Sequence, residues 1–265
     1  MLLAAPFDRL AADYDRSFSA SVIGQRMRAA VWRRLDAAFR PGERVLELNC
    51  GTGEDAVHMG GRGVRVLATD SSPAMLAVTR AKVARSGLTG LVEVAPLAIE
   101  QLARDRPAGP FDGVLSNFGG LNCVEDLPAV SRQLATLLEP GASVLLCMMG
   151  PAVPWEWVWY LARGEPGKAM RRLRRVGARW GGLTIRYPSI GRVRCAFAPH
   201  FGQRRVSAVG ALVPPTFAEP WAARHPRTLA ALDTLERRAE TTWPLPWLAD
   251  HFLIEFERNR ERIRP

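Results

Sequence analysis

Two acids and two glycines near the first strand pattern could do chemistry. The stretch VLELNCGTGEDAV (45–57) runs apolar to Glu47, breaks into small residues through Asn49, Gly51 and Gly53, and resumes with helical spacing. Glycine there lets the backbone approach a ligand closely, and the following helix start offers free N–H groups. That pattern alone also suits a dinucleotide pyrophosphate. Glu47 opposes phosphate and suits an amino group instead. Asp70, which ends VRVLATD (64–70), can accept hydrogen bonds from a ribose diol. An amino acid joined to a ribose without phosphate satisfies both acids, and S-adenosylmethionine is such a molecule.

The elements that must position these residues alternate. Helical spacing covers 7–39, with Pro41-Gly42 as the break. Strands are expected at 44–49, 64–70, 91–97, 111–118 and 142–150, with helices at 53–60, from Ser72-Pro73 to about Ser86, and at 126–139. Such alternation implies a parallel sheet with right-handed crossovers, whose ligands bind outside the carboxyl ends of the strands. Residues 151–182 interrupt the rhythm. A further strand is expected at 203–213 and a last one at 251–258.

The chain has 265 residues, which suits one domain. We divide it into N-terminal helices (1–40), a cofactor-binding core (41–150), a helical lid insertion (151–200) and C-terminal strands and helices (201–265). Cys50, Cys123, Cys147 and Cys195 lie far apart with no paired motif, so neither a metal site nor a disulfide framework is expected. The N-terminus lacks a signal-peptide pattern, and a cytoplasmic protein is the default. The net charge is +10. Ten bases against Glu165 alone place +9 of it between 163 and 194.

The motifs together resemble the class I S-adenosylmethionine-dependent methyltransferases of the small-molecule type. LELNCGTG resembles their first motif, with Asn49 at its first glycine. VLATDSSPAML resembles the second, FDGVLSNFGGLNCVEDL the fourth, and LLEPGASVLL the run into the fifth strand. The likeness spans about 7–150. It implies an α/β, Rossmann-like seven-stranded sheet, six strands parallel and the seventh antiparallel, with a helical insertion after the fifth. It implies S-adenosyl-L-methionine as cofactor, S-adenosyl-L-homocysteine as product, and no metal. The cofactor-binding residues expected from it are Tyr14, Glu47, Asn49, Gly51, Gly53, Asp70, Ser71, Met75, Ala98, Ile99, Asn117 and Asn122. Many relatives carry an aspartate after the third strand for the adenine. Here VAPLAIEQL stands, so Ala98 and Ile99 are expected to line that pocket.

Methyl transfer requires mainly alignment, because the sulfonium is already electrophilic. A base is needed only for an acceptor with a proton to lose. His251, at the start of the last strand, is the candidate base, with Tyr187 behind it. Trp155, Trp159, Tyr187, Phe197 and His200 are the expected acceptor lining. On a helical wheel Ala169, Met170, Leu173, Val176, Gly177 and Trp180 share one side, and Lys168, Arg171, Arg172, Arg175 and Arg179 the other, which reads as an amphipathic lid helix. Its basic face is solvated, or meets an anionic acceptor, or touches a membrane surface with help from the tryptophans. The function expected is methyl transfer to O, N or C of a small, partly apolar acceptor. RNA or protein methylation through the basic segment, and cofactor binding without catalysis, are the alternatives. Nucleic acid ranks low because no RNA-binding module is appended.

Overall fold

The computed structural model describes residues 5–174 and 176–260. The parts of the sequence reading that fall on residues 1–4, Arg175 and 261–265 lie outside it.

Nine strands form among the described residues. They are β1 (Arg44–Leu48), β2 (Arg65–Asp70), β3 (Val92–Pro96), β4 (Phe111–Ser116), β5 (Leu138–Met149), β6 (Ala178–Trp180), β7 (Leu183–Ile185), β8 (Phe201–Val209) and β9 (His251–Arg258). Seven make one sheet in the order β3-β2-β1-β4-β5-β9-β8. β9 runs antiparallel to both neighbours, so the other six point the same way. This is the expected methyltransferase sheet. The order reverses between β1 and β4, where Leu48 pairs with Ser116 and the strand ends open a crevice.

Adjacent residues of the central strands face opposite layers and are buried on both, as a covered parallel sheet requires. Leu46, Val114, Leu146 and Ile254 pack on one face with the helices α6 (Leu127–Leu137) and α9 (Ile190–Phe197). Val45, Leu115, Leu145 and Leu253 pack on the other face with α3 (Val22–Ala38), α4 (Glu54–Gly61) and α5 (Pro73–Arg85). Side-chain caps set the helix starts. Ser72 accepts from Met75 N (3.2 Å) with Pro73 in the first turn, and Asp126 accepts from Ala129 N (2.9 Å).

The N-terminal stretch is helical but broken. Two short helices, α1 (Ala5–Asp8) and α2 (Ala11–Tyr14), lead into a π-helical turn at Asp15–Ser19. Asp8 fastens it to the α5 N-terminus through Ser72 Oγ and Ala74 N, and Asp15 accepts from Thr52 and Lys82.

The lid differs most from expectation. The single amphipathic helix does not form. Two helices, α7 (Pro154–Leu161) and α8 (Pro166–Ala169), are followed by a 3₁₀ turn at Arg171–Leu173 and then by the hairpin β6–β7. Gly181 and Gly182 turn the hairpin with φ of 56° and 90°, a geometry two glycines adopt without strain. The polar face of the expected helix is likewise divided, because Arg172 is buried. The C-terminal region supplies α10 (Glu219–Arg224) and α11 (Pro226–Ala239). Glu236 on α11 holds the loop after β8 by accepting from the backbone N–H groups of Gly210, Leu212 and Val213.

Candidate active site

At the crevice, Asn49 follows β1 with φ of 52°. Asparagine is among the few non-glycine residues that tolerate this region. Its amide Nδ2 donates to Asn117 O (2.8 Å) and its Oδ1 accepts from Ser116 Oγ (2.6 Å), tying β1 to β4. Gly120 makes room for it, since a Cβ there would fall 2.0 Å from Asn49 Cγ. The two motif glycines have separate tasks. Gly51 has open space in front of it, and its N–H donates to Asp70 Oδ2 (2.9 Å). Gly53 is a packing glycine, with Thr79 Cγ2 only 2.5 Å from where a Cβ would lie.

Asp70 is fixed on both oxygens, because Oδ1 accepts from Ser72 N (2.9 Å). Burial raises its pKa, and the backbone donors work against that rise. Glu47 is 1% exposed, and its Oε2 has no partner. Burial first, and then the charge of Asp55, push its carboxyl well above the usual range. An unpaired buried carboxylate is costly, so an acid in this setting holds a proton or awaits a cation.

Asp55 itself is neutralised. It accepts from Arg28 (2.7 Å), Trp32 Nε1 (2.7 Å) and Asn117 Nδ2 (2.7 Å). Burial would raise its pKa, but Arg28 holds it below the ordinary value. The Arg28 guanidinium also lies 5.0 Å from the Phe118 ring. Phe118 has φ of 46°, a strained value for a bulky residue. Asn49 and Phe118 are the two non-glycine residues with positive φ among those described, and both face one cavity.

That cavity measures about 580 Å³. It begins at Asp70, Ser71, Met75 and the 98–101 turn, and passes Tyr14, Asn49, Gly51 and Asn117. Beyond lies a chamber under the β6–β7 hairpin, walled by Phe118, Met149, Leu183, Ile185, Tyr187 and Arg171. Trp180 of the hairpin meets Phe7 of α1 with ring centres 5.5 Å apart, so two distant segments close the roof. Gly177 starts the hairpin at φ of 80°, where a Cβ would sit 2.2 Å from Ile185 O.

Most of the residues expected at the cofactor gather there. Tyr14, Asn49, Gly51, Asp70, Ser71, Met75, Ala98, Ile99 and Asn117 line the wall. Glu47 and Gly53 do not reach it. Neither does Asn122, which is a buried bracket: its Nδ2 donates to Met149 O (3.1 Å) and Arg186 O (2.6 Å), and its Oδ1 accepts from Met149 N (3.0 Å).

The acceptor lining needs correction. Of the five residues expected, only Tyr187 lines the cavity. Trp155 donates to Ala211 O (3.1 Å) and holds α7 against the loop after β8. Trp159 packs on Phe217, 4.7 Å between centres. Phe197 is wholly buried and stacks on Phe256. His200 lies at the start of β8, the sheet edge opposite the crevice. Aromatic bulk made these residues look like pocket lining, yet the same bulk stabilises a core.

His251 does begin at the crevice edge, opposite Met149. It is 7% exposed, with Phe118 packed edge-on over it at 5.4 Å, and it is not part of the wall. Its Nδ1 lies 3.3 Å from Asp250 Oδ2. Asp250 is held far below the usual range by Arg172 and His251, against the effect of burial. Tyr187 faces the chamber, and burial raises its phenol pKa. Arg171 belongs to the basic face whose expected surroundings are solvent, an anionic acceptor or a membrane surface. It lies in the cavity wall, with one NH2 group on Glu156 (2.7 Å) and its buried Nε without a partner.

Residues 45–141 match the family model described as a methyltransferase domain. That match, together with the sheet order, supports a class I S-adenosylmethionine-dependent methyltransferase. The chain is 32% identical over 157 residues to a demethylmenaquinone methyltransferase of Clavibacter sepedonicus, covering 57% of this chain and 60% of the relative. It is 35% identical over 158 residues to a 2-phytyl-1,4-naphtoquinone methyltransferase of Synechococcus elongatus, covering 56% and 64%. The aligned stretches thus span less than two thirds of these relatives. The fold matches a methyltransferase solved with the Haloferax volcanii Trm112 methyltransferase activator, at a TM-score of 0.65 and 15% identity, covering 99% of this chain and all of the other. No helix among the described residues is long and apolar enough to cross a membrane.

The chamber walls were the part the sequence reading missed. Phe7, Phe118, Met149, Arg171 and the hairpin residues all belong to them. A signal for the hairpin did exist: ARW and LTI flank a Gly-Gly pair, which is a two-residue hairpin pattern.

Proposed function

We propose that this chain transfers the methyl group of S-adenosylmethionine to carbon or oxygen of a small, largely apolar aromatic acceptor with an acidic hydroxyl, a quinol-type ring. The observation that carries this is one continuous cavity. It joins Asp70 to an aromatic and aliphatic chamber that has an arginine in its wall. The quinone substrates in the relatives' names agree with it.

The residues present fit the cofactor. Asp70 is on the wall with its orientation fixed, and takes the ribose diol. Gly51 allows close approach. Met75, Ala98 and Ile99 flank the adenine, while Tyr14 and Asn117 bound the methionine end. Glu47 stands behind the cavity wall, and its unpartnered Oε2 draws the cofactor's amino group through one water. When bound, S-adenosylmethionine supplies an electrophilic methyl group, so this chain's work is placement.

Proton handling follows from what the chamber lacks. His251 is screened by Phe118, and burial raises the Tyr187 phenol above its ordinary value, which disfavours the phenolate. Neither acts as base in this reading. Arg171 has a buried, unpartnered Nε and favours the acceptor as its oxyanion. The hydroxyl proton leaves to solvent, and the resulting oxygen, or the ring carbon it activates, is held against the methyl group. The new bond to the methyl forms as its bond to sulfur breaks, and a methylated ring carbon also gives up its hydrogen as a proton to solvent.

A direct test incubates the purified chain and S-adenosylmethionine with hydroxylated naphthalenes, amines, carboxylates and bulk RNA. Released S-adenosylhomocysteine and the methylated product are measured. Turnover confined to the hydroxylated aromatics is expected. Turnover confined to RNA or amines, or none with cofactor bound, contradicts the proposal.

A further inference from the structure

Large exposed apolar side chains are concentrated in one segment. Val158, Leu161, Met170, Leu173, Val176 and Trp180 are between 42% and 79% exposed, and all fall within the lid. Elsewhere among the described residues only Leu235, Trp243 and Trp247 are comparable. The segment folds as a unit: Lys168 and Arg171 lie over the ring of Tyr160, 5.8 and 5.3 Å from its centre.

Charge on this segment is equally one-sided. Its two acids are already engaged, Glu156 buried against Arg171 and Arg172, and Glu165 on Lys168. Arg163, Arg174 and Arg179 are exposed and make no ion pair among the described residues. Apolar tips interleaved with unpaired guanidinium groups restrict the partner. A second copy of the chain would meet its own positive charge. Nucleic acid would use the arginines and leave the apolar tips in water. The headgroup layer of an anionic bilayer uses both, with apolar tips at the acyl boundary and arginines at phosphates.

We infer that the lid, residues 154–180, docks on the surface of an anionic lipid membrane. Trp180 belongs both to this surface and to the cavity wall, so docking sets the cavity beside the bilayer. The inference stands on the surface alone and not on the acceptor proposed above.

The test is co-flotation of the full chain with vesicles of phosphatidylcholine alone, or mixed with phosphatidylglycerol. Binding is expected only to the mixed vesicles, and it should weaken with salt. The pair Arg163→Gln/Arg174→Gln should lower partitioning about fivefold per arginine. The pair Val158→Ser/Val176→Ser should lower it about tenfold. The pair Leu235→Ser/Trp243→Ser, exposed apolar residues outside the lid, should leave it unchanged. S-adenosylhomocysteine affinity reports that each variant is folded. Three results would overturn the inference: equal partitioning to both vesicle types, lid variants that bind like the wild type, or binding to bulk tRNA that ignores the valine changes in a chain that does not float.

Discussion

Residues 44–149 and the lid that follows are specified by different physics. In the first region each element declares itself locally. Val45, Leu46 and Leu48 are apolar and β1 is buried on both faces, and Ser72-Pro73 starts α5 by capping and a preset φ. In the lid the decisive contacts are distant. Arg172 is buried because Asp250 and Glu156 accept from it, and Trp180 finds Phe7 more than 170 residues away. In the proposed function the first region builds the cofactor end and the second builds the acceptor end. The two ends should therefore fail separately when mutated.

Loss of Asp70 should have the largest effect. Asp70→Ala should weaken S-adenosylhomocysteine binding on the order of a hundredfold, because two charge-assisted hydrogen bonds to a diol are lost. Calorimetry reads this directly. An unchanged affinity would break the division at its cofactor end.

Gly177→Val attacks the other end. Any side chain there is strained and meets Ile185 O, so the hairpin must shift. Acceptor kcat/KM should fall by up to about a hundredfold, with cofactor affinity unaltered. Loss of both together would mean that the lid and the core are one cooperative unit.

Arg171→Gln should raise the acceptor KM about tenfold, the value of one hydrogen bond to a charged group. Its effect should shrink for acceptors with more acidic hydroxyls, which need less help to ionise.

Glu47→Gln sharpens the comparison through pH. Burial, and then the charge of Asp55, raise the Glu47 carboxyl well above an exposed glutamate. A cationic amino group favours the carboxylate, so cofactor binding should release a proton. Affinity should rise with pH up to the raised Glu47 pKa and level off above it. The glutamine variant should bind about fivefold more weakly and lose this slope. A slope that survives in Glu47→Gln assigns the proton elsewhere.

His251→Gln should have the smallest effect, less than about threefold on kcat, because Phe118 lies between the imidazole and the chamber. A general base contributes roughly a hundredfold or more. A fall of that size would return His251 to catalysis.

Legibility in the sequence followed the same division. The positions of the seven main strands, and Asp70 and Gly51 at the strand ends, could be read from local pattern and spacing. Gly53 and Asn122, expected at the cofactor, have packing and bracing contacts in the structure. One gives helix packing room and the other brackets β5, and a linear pattern cannot separate packing from ligand contact. The lid wheel failed because a periodicity of 3.6 over 168–180 competed with the Gly181-Gly182 turn, and the turn won. His200 and Phe197 were misplaced because their position depends on strand direction: β8 starts at the far edge of the sheet.

The most direct measurement is a crystal structure with S-adenosylhomocysteine. The expected result has both ribose hydroxyls within about 3.2 Å of the Asp70 carboxylate. The amino group lies one water from Glu47, and the sulfur points into the chamber under the hairpin. Ligand bound outside this cavity, or a ribose turned away from Asp70, would contradict the account.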